Sequence, residues 1–488
     1  MKRMLRRLFR IGLFALVIIL GIVLVKTLSF GSRQIPIDPV SGIAVDDVAV
    51  QRLAEAIRYP TVSTDKGIDT AAFIGLDTFL LQQFPQVHSE LSLKKIAQFS
   101  RVYHWPGTNP KLEPILLLAH LDVVPVEAES AADWTAPAFV GRVQKGYVWG
   151  RGALDDKGSA LAILEAVEHL LKDGFQPVRP VYIALGHDEE VGGYGAQATA
   201  RYFADAGLSF AYVLDEGSFV IDDALPGLEQ PLAMIGLAEK GYLSLELIAR
   251  LPEGGHSSMP PAQTAVGVLS QAISQLQNNP FPAQIAGATR ELFMYAGPEM
   301  NWPVRAVFAN LWLTEGLLIS QLSKTNTTAA MIRTTTAPTM VRAGVKDNVL
   351  PTEARAVINF RILPGETTET VINRVHRVIG DDRVTVAPLD SNIFNPAPVS
   401  ETSTFGFQVI HKTIGQLYPE AVVAPSLVIG ATDSRHYQEV ALQTYRFRPI
   451  QLEQADISGI HGIDERISVA NYEKSIQWYY QLLRNSTE

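Results

Sequence analysis

The apolar and polar positions change period several times along the chain. An uncharged apolar run from Ile11 to Val25 follows the basic stretch MKRMLRRLFR. At ~1.5 Å per residue the run spans about 22 Å, short of a ~30 Å hydrocarbon core. Leu8, Phe9 and Leu28 to Phe30 can extend it, with Arg10 and Lys26 snorkelling outward. The segment reads as an uncleaved anchor. A cleaved signal peptide is the rival reading, but VKTLSFGSRQ carries bulky residues where a small-x-small cleavage site needs Ala. The basic flank stays in the cytoplasm, which places the bulk of the chain outside it. Residues 1–30 are therefore expected to anchor the protein, and 31–47 to tether it.

From Val48 onward short apolar runs alternate with helical periods, the pattern of an α/β domain with helices on both faces of a mixed sheet. PILLLAHLD, VYIAL (Val181–Leu185) and AYVL (Ala211–Leu214) read as buried strands. Between the first two, Ala160, Ile163, Leu164, Val167, Leu170 and Leu171 share one helix face, closed by Gly174. The texture shifts after Lys240. GYLSLELIARL and EARAVINFRI alternate as half-exposed strands, and Pro-rich and Thr-rich stretches lie between them. Residues 241–365 therefore read as an inserted, smaller α+β domain. Helical periodicity resumes at Thr367–Ile379, SLVI and YRFR read as strands, and a final helix starts near Ser468. The main domain, 48–240 and 366–488, is then discontinuous.

Composition narrows the function. With 47% hydrophobic residues the 488-residue chain can bury large cores. Its net charge of −9 leaves no cationic excess for phosphates, which argues against a nucleic-acid partner. It has no cysteine, so disulfides, thiolate ligands and a cysteine nucleophile are excluded. Any metal must be held by His, Asp and Glu.

Polar residues follow each strand run directly: His120 and Asp122, His187 to Glu190, then Asp215 and Glu216. Ligands of open α/β sheets gather outside the carboxyl ends of strands, so these groups should converge. Asp122 can orient His120 through its second ring nitrogen. Glu189 and Glu190 diverge on a loop, so one can face a metal and the other a water. Asp155 and His461 join the set. Such carboxylate and imidazole ligands suit zinc, with Mn or Co as substitutes. Two divalent ions bridged by a carboxylate form a hydrolytic site.

The ordered motifs LAHLDVVP, WGRGALDDKGS, GHDEEVGG, DEG, GGHSSMPP and HGIDERIS resemble the co-catalytic zinc metallopeptidase family. That family includes carboxypeptidase S, aminoacylase, succinyl-diaminopimelate desuccinylase and carnosinase, and the likeness points to its carboxypeptidase S branch. It implies two zinc ions per subunit, one held by His120, Asp155 and Asp215, the other by Asp155, Glu190 and His461. It implies Glu189 as general base and Asp122 as the partner of His120. It implies His256 as the stabiliser of the oxyanion, and Asn348 and Arg361 as substrate-binding residues. Arg361 matches the clamp on the substrate carboxylate, a task that suits a planar guanidinium. A cis peptide after the bridging Asp155 is also implied, turning Asp156 away from the metals. The expected enzyme is a membrane-anchored, extracytoplasmic amidohydrolase that cuts an amide next to a free carboxylate. Its substrate is a short peptide, cut as by a carboxypeptidase, or an N-acyl amino acid, including N-fatty-acyl ones; a non-catalytic binding ectodomain is the remote alternative, against which the presence of His120, Asp155, Glu189, Glu190, Asp215 and His461 argues. The inserted domain either pairs two subunits into a homodimer or bends back to complete the site within one chain.

Overall fold

The computed structural model describes residues 1–252, 254–453 and 456–488. A ten-stranded mixed sheet forms the centre of the main domain. In its middle Ile115–His120 lies between Val181–Gly186 and Tyr212–Asp215, parallel to both. Ser100–Trp105 and Ser92–Ile96 extend one side antiparallel. Thr444–Arg446, Leu232–Glu239 and Val422–Val428 extend the other. Alternate residues serve two cores. Ile115, Leu117 and Ala119 pack into one, Leu116 and Leu118 into the other, as a strand covered on both faces requires.

The helix Lys157–Lys172 is buried almost all round. Its two buried acids are paired: Glu165 with Arg52 at 2.8 Å, while Glu168 accepts from the backbone of Gln86 and Val87. Gly158 sits where a side chain would run into the Ala153 carbonyl, which lets this helix start directly on the loop before it. The closing helix, Val469–Thr487, is capped by Ser468 and packs against Lys157–Lys172. Segments from before and after the expected insertion thus build one core.

A second sheet, in the order Thr335–Ala343, Glu353–Ile362, Gly241–Arg250 and Val384–Pro388, is wholly antiparallel. Leu243, Leu245, Leu247, Ile358 and Phe360 meet the helices Ala265–Asn278 and Thr368–Ile379 in a separate core. The packing does not follow the boundary expected at residue 365. Val371, Val375 and Ile379 belong to this second core. Conversely, Leu292, Phe293, Phe308 and Leu311, inside the expected insertion, pack on the main core. The four helices between Gly287 and Ala330 carry them back across. The helix Lys2–Leu28 projects from the main domain, with only its last turns and the chain just beyond packed against Trp302–Ala309 and its flanks.

Candidate active site

Parallel pairing aligns His120 with Gly186 and so brings the loop carrying Glu189 and Glu190 beside it. His120 is buried. Its Nε2 lies 3.1 Å from Asp155 Oδ1, and its Nδ1 lies 3.1 Å from the Asp122 carbonyl and 3.3 Å from its carboxylate. Asp122 does more than orient the imidazole. Its oxygens accept from Ser63 Oγ at 2.5 Å and from the backbone N–H of Glu189 and Glu190 at 3.2 Å. One carboxylate thereby fixes His120 to the turn that presents both glutamates. Burial would raise its pKa, but His120 first, then Ser63 and the Glu190 N–H, hold it below the usual carboxylate range.

His461, in the left-handed region at φ 58°, arrives from the far end of the chain. Its Nε2 lies 3.2 Å from Asp155 Oδ2 and 3.2 Å from Glu190 Oε1. Asp155 thus offers one oxygen to each histidine, the arrangement a bridging ligand needs. His120, Asp155 and Glu190 place donor atoms within 4.8 Å of one another. The chemistry of this set fits divalent cations. Asp155 and Glu190 raise the pKa of His461 to about 10, and Asp122 and Asp155 raise that of His120 against the opposing effect of burial. The site concentrates negative charge that wants cations, protons or metal ions.

The Asp155–Asp156 peptide is cis, as the resemblance implied. Asp156 is buried and faces Arg448 at 3.6 Å, away from both histidines, and burial lifts its pKa to about 7.

Asp215, buried at the end of its strand, has both oxygens hydrogen-bonded. Its Oδ2 accepts from the Ser434 backbone at 2.7 Å and its Oδ1 from the Glu216 N–H at 2.9 Å. This carboxylate holds the Thr432–Ser434 loop. Its neighbour Glu216 takes the inward position: it lines a cavity together with Asp155, lies 3.7 Å from Arg448, and feels the charges of Asp155 and His120. Burial, then Asp155, pushes its pKa well up.

Glu189 is also pushed well up, by burial first and then by Asp433, Glu190 and Glu216, and lies 3.7 Å from Arg435. Arg435 was passed over in the sequence. It stacks on Phe394, Phe394 on Tyr242, and Tyr242 carries Arg361 4.8 Å over its ring. Two guanidiniums therefore flank an aromatic pair at the junction of the domains; burial first, and then the charge of Arg435, lowers the pKa of Arg361.

His256 and Asn348 are not brought to this site. His256 is exposed on a two-stranded ribbon, paired with Val349 and bonded to Ser258 Oγ at 2.8 Å. Asn348 lies beside it, accepting from the Ser257 N–H. His187 and Asp188 are structural: His187 meets Ser100 Oγ at 2.7 Å, and Asp188 accepts from the Gly195 N–H.

Glu465 is a further residue the sequence did not single out. Its Oε1 accepts from the N–H groups of Gly152, Leu154 and Asp155 at 2.8–3.0 Å, and its Oε2 meets Arg151 at 2.6 Å. Arg151 also donates to the carbonyls of His461 and Gly462. This buried pair clamps the segment of Asp155 to the segment of His461.

Residues 116–485 match the sequence profile of peptidase family M20/M25/M40. The chain belongs to that family. It is 43% identical to "Probable carboxypeptidase S-like 2" of Dictyostelium discoideum, over 96% of this chain and 92% of that protein. It is 38% identical to "N-fatty-acyl-amino acid synthase/hydrolase PM20D1" of Xenopus tropicalis, over 90% of this chain and 85% of that protein. In fold it is similar to the metallo-carboxypeptidase Sso-CP2 of Sulfolobus solfataricus, with TM-score 0.65 and 19% identity over 91% of this chain and 99% of that one. The protein is an enzyme of the carboxypeptidase S-like branch, a metallopeptidase or amidohydrolase.

Proposed function

We propose that this enzyme hydrolyses N-acyl amino acids of medium to long acyl chain with two zinc ions, from a position anchored on the outer side of a membrane. One observation carries the substrate choice. A cavity of about 500 Å³ opens from Asp155 and Glu216 and is lined by Phe219, Met234, Met331, Leu427, Val428, Ile457 and Ile460. Apolar walls ending at a polar site suit an acyl chain better than a peptide, whose backbone needs partners. The name of the Xenopus relative supports the same class.

In this reading His120, Asp155 and Glu216 would hold one zinc, and Asp155, Glu190 and His461 the other. Bound there, the pair supplies Lewis acidity for attack on the amide carbonyl. Arg361 and Arg435 grip the amino-acid carboxylate. Glu189 takes the proton of the attacking water and passes it to the nitrogen as the C–N bond breaks. One water is consumed; a fatty acid and an amino acid leave. A second copy of the chain, paired through the inserted domain, brings His256 and Asn348 to the site. The exposure of His256 on its ribbon motivates this.

The test is hydrolysis of N-acyl amino acids of increasing chain length beside blocked dipeptides, using zinc-loaded full-length enzyme and Glu189→Gln as the blank. Long-chain preference, lost on filling the cavity with Met331→Trp while short-chain turnover persists, is expected. Release from dipeptides alone makes it a carboxypeptidase of short peptides and refutes the acyl reading.

A further inference from the structure

The helix Leu311–Leu322, LWLTEGLLISQL, is unlike the other surface helices. It carries one charge, Glu315, and turns Trp312, Leu313 and Leu317 to the outside, 50%, 53% and 70% exposed. Trp302, at the start of the preceding helix, is 58% exposed. The helix Thr368–Ile379 shows the ordinary pattern, presenting Glu369, Asn373, His376 and Arg377 to water. In Leu311–Leu322, Thr314, Glu315, Ser320 and Gln321 are the only strongly polar side chains, and contiguous exposed apolar patches of this kind mark contact surfaces.

The N-terminal helix identifies the contact. Its last turns dock on this same region. Asn310 Nδ2 donates to Val23 O at 3.3 Å and to Thr27 Oγ1 at 3.1 Å, Arg305 donates to Phe30 O at 2.6 Å, and Lys26 Nζ lies 5.7 Å over the Trp312 ring. The preceding residues stand clear of the protein with their apolar side chains exposed, in the one helix among the described residues long and apolar enough to cross a membrane. If Ile11 to Val25 cross hydrocarbon, its boundary falls near Lys26, level with Trp312.

We propose that the face made by Trp302, Trp312, Leu313 and Leu317 lies in the interfacial layer of the bilayer that the N-terminal helix spans. Tryptophan favours that depth, where its ring is half apolar and half wet. The face also leads to the site: the chain runs from Leu322 into the short helix Asn326–Ala330, and Thr327 and Met331 line the apolar cavity. Resting on the acyl-substrate reading, the face then delivers substrate sideways from the membrane.

The chain holds its own probe. Of its six tryptophans, Trp105, Trp134, Trp149 and Trp478 are at most 8% exposed, leaving Trp302 and Trp312 as the two that lipid can reach. Full-length enzyme in phosphatidylcholine vesicles with brominated acyl chains should lose part of its tryptophan fluorescence. Trp302→Phe with Trp312→Phe should abolish that loss without changing flotation. Flotation without quenching overturns the docking face and leaves the anchor standing. No flotation overturns both. A Leu313→Glu, Leu317→Glu variant should lower turnover of long-chain substrate in vesicles severalfold, with short soluble substrates unaffected. Equal loss on both, or dissociation of a dimer with quenching unchanged, makes the face a protein contact and overturns the proposal. An enzyme that cuts only dipeptides removes the delivery role, and the quenching result still decides the docking.

Discussion

Replacing Glu465 with Gln changes one heavy atom of a residue outside the proposed ligand set, and should nevertheless weaken metal binding. The amide oxygen of Gln can replace Oε1 and keep the three backbone N–H groups of Gly152, Leu154 and Asp155. The amide nitrogen must then replace Oε2, 2.6 Å from an Arg151 nitrogen, donor against donor. Arg151 is buried and left uncompensated, a situation that costs about 3–5 kcal/mol. Relaxation must move Arg151, which also holds the carbonyls of His461 and Gly462. Both Asp155 and His461 then lose their fixed spacing, and outer partners of this kind are worth about 10–100-fold in metal affinity. The assay is zinc competition against a chromophoric chelator, with urea unfolding in parallel. Should Glu465→Gln misfold, Arg151→Met tests the same clamp. The Arg151→Met, Glu465→Gln double variant should be less damaging than the sum, with a coupling of roughly 0.5–3 kcal/mol. Zinc affinity within twofold of wild type in all three would refute the clamp.

Glu216→Ala should cut zinc content from about two ions toward one per chain, while Asp215→Asn should retain both; elemental analysis after dialysis decides, and the reverse result restores Asp215 as ligand. His411 is buried against Phe407 and Tyr295, and burial lowers its pKa to about 4. Its unfolded form binds a proton near 6.5, so stability present above that pH is lost toward pH 4, at about 1.4 kcal/mol per pH unit and roughly 3 kcal/mol in all. His411→Leu should flatten that part of the urea-stability profile; an unchanged slope counts against it. Mixing inactive Glu189→Gln and His256→Ala chains, then dissociating and reassociating them, should recover about a quarter of wild-type activity if His256 acts across a two-fold dimer. No recovery from a verified mixed dimer places His256 within its own chain.

The strands and their terminal polar residues were legible because burial on both faces makes a strand run continuous and its end abrupt, as at His120. The choice between Asp215 and Glu216 was not legible. The Ser434 N–H, 219 residues away, bonds the first carboxylate, while the second lines the cavity with Asp155. No local pattern carries that. Arg435 looked like an ordinary loop charge because its meaning comes from Phe394 and Tyr242, which meet it only in the fold. Glu465, inside IDERIS, was hidden for the same reason. The helix Leu311–Leu322 escaped notice because it lacks the polar stripe that makes amphipathic periods visible. The boundary at 365 failed because Thr368–Ile379 has an ordinary helical pattern, and pattern does not say which sheet a helix covers.

The packing of the last helix on Lys157–Lys172 bears on how the enzyme is made. Trp478, Leu482 and Leu483 are fully buried in the core that also holds Ile163 and Val167. Translation at ~5–20 residues per second leaves on the order of 20–70 s between the emergence of His120 and that of His461. During that interval the growing chain has an open core and, in the proposed reading, only part of its ligand set. Activity is then expected only after His461 has emerged, and a chain cut before that residue should lack it.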